Sequence, residues 1–247
     1  MDELKELVNK LERAFSDRLI SVVLYGSAAE GDAHGKFSDL NVLCVLKAIT
    51  PRELADSEPV VRWWREQGHP SPLMMSEDEV HHSADSFPIE FRDMQDRRRV
   101  LYGMDAIAHL HVDFKYHRVQ LEHELRAKLL RLRQHASGVL SDPEALLRLC
   151  LDSVSTFCVL GRHALLASGI VAKSDRRAVV QQMADQLRVS GAKLDMSPFL
   201  TLLDIREQKA GLAESYHAGL NVGDLFARYL HSIGTLVAYV DQLEEQK

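Results

Sequence analysis

Residues 21–47, SVVLYGSAAEGDAHGKFSDLNVLCVLK, set two apolar runs on either side of a polar connection punctuated by glycine. Ile20 to Leu24 is short, β-branched and stopped by Gly26, the pattern of a buried strand. Leu40 to Leu46 is a second strand in which Leu40, Val42, Cys44 and Leu46 share one parity and Leu43 and Val45 the other, so both faces are covered. At the end of the first strand stands Gly26-Ser27. Glycine there permits close backbone approach, and free N–H groups with a hydroxyl suit a phosphate, although a Gly-Ser pair equally makes a plain tight turn. Asp39 and Asn41 open the second strand at i and i+2, so their side chains point to one side, where two oxygen ligands suit Mg²⁺. Read alone, Asp39 is also an ordinary strand-end cap.

Outward from this stretch, Leu4, Leu7, Val8, Leu11 and Phe15 recur at helical spacing and predict a helix over 2–16. Pro51 opens a helix running to about Gln67, ended by Gly68 and Pro70. Ser71 to Met75 reads as a third strand, followed by Ser76 with Glu79 three residues on, a capping box. Pro88 to Met94 reads as a fourth strand, placing Glu90 between Ile89 and Phe91 as an acid inside an apolar segment. Such a carboxylate either reaches a metal at the open end of the sheet or pairs with Arg92, Arg97 or Arg98. Asp93 is a rival third acid. The run Arg97-Arg98-Arg99 either steers a nucleotide or forms a solvated helix face neutralised by Asp93 and Asp96.

From about residue 109 helical patterns cover roughly 111–136, 143–168, 174–189, 196–209 and 219–245, with Asp142-Pro143 a strong helix start. The expected fold class is therefore α+β: a small mixed sheet with helices over 1–108, then an all-helical bundle over 109–247 that binds substrate or a partner. Leu146, Leu149, Cys150, Ser153, Phe157, Leu160 and Ala164 mark a buried stripe in the bundle, and an exposed apolar face there would serve a homodimer.

The 247 residues carry a formal charge of −6, with 13 basic against 20 acidic side chains in residues 1–108 and 17 against 16 in the remainder. That balance argues against a nucleic-acid partner. Cys44, Cys150 and Cys158 have no metal or disulfide spacing. His81-His82, His109, His111 and His117 lack a ligand pattern for zinc, and His34 reads as a loop residue. The mixed-charge N-terminus is unlike a signal peptide, and no apolar stretch approaches the roughly 20 residues needed to span a bilayer. The expectation is a cytoplasmic protein with no membrane partner.

Taken together, LYGSAAEGDAHGKFSDLNVLCVL resembles the signature of the nucleotidyltransferase superfamily related to DNA polymerase beta, in its minimal and aminoglycoside nucleotidyltransferase-like branch. The resemblance covers roughly residues 18–103, and the helical rear resembles the helical domains attached to such modules, including the HEPN-like class. It implies that Gly26 and Ser27 hold a triphosphate, and that Asp39, Asn41 and Glu90 are the catalytic and metal-binding set for Mg²⁺ or Mn²⁺. It also implies transfer of a nucleoside monophosphate from an NTP, with ATP expected, to a hydroxyl acceptor on a small molecule or protein.

Two positions depart from the family pattern. Glu30 stands where many relatives carry Arg or Lys, and Asn41 stands where a second Asp is expected, which removes one negative charge from the metal set. The alternative is thus a weak or inactive transferase-like protein serving as a nucleotide-binding, regulatory or toxin–antitoxin-like module. A ribonuclease site of the HEPN kind is not supported, because Arg162-His163 and Arg228-x-x-His231 lack the required spacing.

Overall fold

The computed structural model describes residues 2–30, 40–112, 117–189, 191–207 and 219–243. The chain divides into two compact units, Met1–Phe114 and Lys115–Lys247.

In the first unit a four-stranded sheet has the order β3-β2-β1-β4, with β1 Leu19–Tyr25, β2 Asn41–Leu46, β3 Leu73–Ser76 and β4 Arg98–Gly103. Strand β1 is antiparallel to β2 and to β4, while β3 runs parallel to β2. Helices cover both faces. On one, Leu7, Leu11 and Phe15 of α1 (Asp2–Phe15) and Trp64 of α2 (Pro51–Glu66) pack on Val22, Leu24, Val42 and Cys44. On the other, Val80 of α3 (Glu77–His82) and Phe91 and Met94 of α4 (Pro88–Asp96) pack on Val23, Leu43 and Val45. Two covered faces explain why β1 and β2 are apolar at both parities.

Local chemistry sets the helix starts. Thr50 and Glu53 form a capping box ahead of Pro51, and Ser76 and Glu79 form another, each satisfying two N–H groups at a helix end. Glu53 is buried and bonds both Thr50 and Arg18, so its carboxyl is held down to about 2 by those hydrogen bonds, Thr50's the larger. Arg18 also reaches Asp56 at 2.7 Å, which ties the end of α1 to α2.

One expectation is overturned here. Pro88–Met94 is helical, not a strand, and Glu90 is an exposed residue in the first turn of α4. Ile89-Glu90-Phe91 mimics alternation over three residues, but Pro88, Phe91 and Met94 are buried at helical spacing and proline is favoured at N1. The burial argument for Glu90 therefore falls. The fourth strand instead contains Arg98 and Arg99, so this run is not a helix face.

The second unit is a helical bundle of α5 (His117–Ser137), α6 (Pro143–Ala167), α7 (Arg176–Gln186), α8 (Ser197–Glu207) and α9 (Val222–Asp241). A short hairpin pairs Arg188–Val189 with Ala192–Lys193. Asp142 accepts from the Ala145 N–H at 3.0 Å and caps α6, which is the central helix: Leu146, Cys150, Val154, Phe157, Leu160 and Ala164 are all buried. Contrary to the reading from sequence, α6 is long and apolar enough to cross a membrane, with 56% of its most apolar window buried in the fold. Burial against four partner helices is the requirement of a bundle's central element. The architecture is thus α+β, a sheet with helices followed by an all-helical bundle.

Candidate functional site

The turn after β1 is built on Gly26, whose φ of +80° is open to glycine and strained for other residues. Its N–H donates to the Arg97 carbonyl at 3.0 Å, and its own carbonyl accepts from Ala29 at 3.0 Å, closing a 3₁₀ turn over Ser27–Glu30. A Cβ at Gly26 would lie 3.5 Å from the Asn41 side-chain nitrogen, an ordinary contact. Conformation, not crowding, is what calls for glycine. Because the Gly26 N–H is engaged, any backbone donors for a phosphate come from the residues after it.

Asn41 is the first residue of β2 and pairs directly with Tyr25, which pairs in turn with Arg98 on β4. Cross-strand partners point to one face. That face is the one on which Leu43 and Val45 meet α4. The Tyr25 hydroxyl is pushed up first by burial and second by the negative charge of Glu90, so the carboxylate lies within electrostatic reach of the end of β1. Gly26 and Asn41 thereby stand together at one end of the sheet, with Asn41 on the face that α4 covers.

Asp39 and His34 lie outside the described residues. Ser27 begins the 3₁₀ turn. Asp93 sits within α4, where its carbonyl accepts from the Arg97 N–H at 3.1 Å. Arg92 bridges Asp96 at 3.1 Å, and Arg98 reaches both oxygens of Asp105 at 2.9 and 3.0 Å. One participant was missed from sequence, Tyr25, signalled only by its place before Gly26; Arg97, read from sequence as a charge in a run of three arginines, holds the turn through its main chain. A groove of about 780 Å³ between α2 and β3, lined by Leu54, Val61, Pro72 and Met74, contains none of the candidate site residues.

Among the described residues no group of three or more His, Cys, Asp or Glu side chains is arranged to hold a metal. The oxygen atoms of Asn41 and Glu90 are nonetheless hard donors of the kind Mg²⁺ takes. In the bundle, His117 and His163 are buried with ring nitrogens 2.8 Å apart. Cys44, Cys150 and Cys158 are free and buried, their thiols pushed up to about 12 by desolvation.

No protein-family model matches the chain, and no curated protein matches it. Among solved structures, it is similar to the spectinomycin adenyltransferase AAD(9) from Enterococcus faecialis, determined with ATP and spectinomycin. The identity is 12%, the TM-score 0.60, and the match covers 95% of this chain and 99% of that one. At such identity the likeness is one of fold, and it extends over the sheet unit and the helical bundle alike.

Proposed function

We propose that the chain transfers a nucleoside monophosphate, with ATP the expected donor, to a hydroxyl group. The observation that supports this reading is the Gly26 turn beside Asn41 at the end of β1, with Glu90 acting electrostatically on the neighbouring Tyr25 hydroxyl. The fold likeness spans 99% of the chain of an adenyltransferase solved with ATP and spectinomycin. In this reading the turn holds the phosphates through backbone N–H groups that follow Gly26, and Glu90 accepts the proton as the acceptor oxygen bonds to the α-phosphorus and pyrophosphate leaves. Asp39, Asn41 and Glu90 would hold Mg²⁺ or Mn²⁺, which when bound neutralises charge on the triphosphate. The bundle, residues 109–247, supplies the acceptor site.

Calorimetric titration with each NTP in the presence of Mg²⁺ tests the reading. Binding of ATP that is lost on removing Mg²⁺ is expected, and no binding of any nucleotide at millimolar concentration overturns it.

A second reading, a nucleotide-binding module without turnover, is favoured by the neutral Asn41 at a metal position. The variant Asn41→Asp separates the two. A transferase gains Mg²⁺ affinity from the added charge, whereas in a protein that keeps Asn41 for packing the change lowers the melting temperature and leaves nucleotide binding where it was.

A further inference from the structure

Arg97 is joined to the Gly26 turn through its main chain, its carbonyl accepting the 3.0 Å hydrogen bond from the Gly26 N–H. Its neighbours are engaged: Arg92 by Asp96 and Arg98 by Asp105. Arg97 has no ion pair among the described residues, and its Nε is buried without a hydrogen-bond partner. A buried guanidinium N–H with no acceptor is costly and rare. Arg97 caps the C-terminal end of α4 directly before β4, whose first residue, Arg98, pairs with Tyr25.

We propose that Arg97 is the side chain that binds the phosphate chain of the nucleotide at this turn, deepening the transferase reading on which the proposal rests. A planar guanidinium with an unmet donor donates to phosphate oxygens in a forked geometry that lysine cannot reproduce. The Arg97 main chain would then organise the turn while its side chain neutralises the ligand the turn holds. The ligand class is a linear polyphosphate, and the nucleoside adds nothing to this contact.

The test is titration of the intact protein and of Arg97→Gln and Arg97→Lys with ATP, AMP and inorganic tripolyphosphate, each with Mg²⁺, alongside melting curves. Loss of one charge-assisted hydrogen-bonded contact lowers affinity by about 10- to 100-fold. That loss is expected for ATP and tripolyphosphate in Arg97→Gln, with AMP less affected and the melting temperature unchanged or raised. Arg97→Lys recovers only part of it. If the native protein binds ATP and Arg97→Gln binds it equally, the assignment fails and the transferase reading stands. If the native protein binds tripolyphosphate through Arg97 but no NTP, the anion site stands and the transferase reading fails. A native protein that binds neither overturns both.

Discussion

Replacing Gly103 by alanine should damage the sheet far more than the same change at Gly26, although both glycines have positive φ, +71° and +80°. For each, forcing a side chain into the left-handed region costs about 1–2 kcal/mol. At Gly26 little else is lost, because the nearest atom to the new Cβ is 3.5 Å away on the Asn41 side chain. At Gly103 the new Cβ falls 2.0 Å from the Ile20 carbonyl oxygen and 3.0 Å from its carbon. These are backbone atoms of β1, the central partner strand, and no rotamer change relieves them. Relief requires β4 to separate from β1 where Gly103 pairs with Ser21, beside an irregular step in the register. The Ser21 hydroxyl would lose its 2.6 Å bond to the Met104 carbonyl. With a lost buried hydrogen bond and overpacking strain added, Gly103→Ala should cost about 3–6 kcal/mol against about 1–2 kcal/mol for Gly26→Ala. Urea unfolding followed by circular dichroism, compared at equal slopes, reads the difference. Equal losses for the two variants, or a loss below 1 kcal/mol at Gly103, would refute the assignment of β4 to the edge of β1.

Three further outcomes follow from the ionisable groups. Glu90 raises the Tyr25 phenol, so Glu90→Gln should lower it; ultraviolet titration of the variant against a Tyr25→Phe control resolves that one ring, and an unmoved titration separates Glu90 from the end of β1. The Glu53 carboxyl lies at about 2 in the fold against an ordinary 4.5. A depressed folded value means that its contribution is fully present above 4.5 and is lost as pH falls toward 2; Glu53→Gln should flatten the acid side of the stability profile in that window, and parallel profiles would count against the Arg18–Glu53–Thr50 contact. The thiols of Cys44, Cys150 and Cys158, raised to about 12 by burial, should resist a disulfide reagent at pH 8 and react only in denaturant; rapid labelling of the folded protein would contradict the packing of β2 and α6.

Much of this architecture was readable because its signals are local. Helix caps at Ser76 and Asp142 need only a side-chain oxygen a few residues from an N–H, and each is where the spacing put it. The doubly buried β2 was readable because apolar residues at both parities have no other economical explanation in a segment of six residues. Reading failed where a short window supports two periods. Ile89-Glu90-Phe91 satisfies a strand over three residues and a helix over nine, and the sheet faces on which Phe91 and Met94 pack decide between them. The same ambiguity hid the arginines. As a helix face, residues 97–99 would be neutralised by Asp93 and Asp96 within the segment. In the fold Arg97 caps α4, and Arg98 enters β4 and reaches Asp105. Whether a cation is spent on structure or left for a ligand depends on strand register, a long-range property that residue spacing does not encode. The meaning of Asn41 is decided in the same way: its spacing from Asp39 is local, but its pairing with Tyr25 exists only once β1 and β2 are in register.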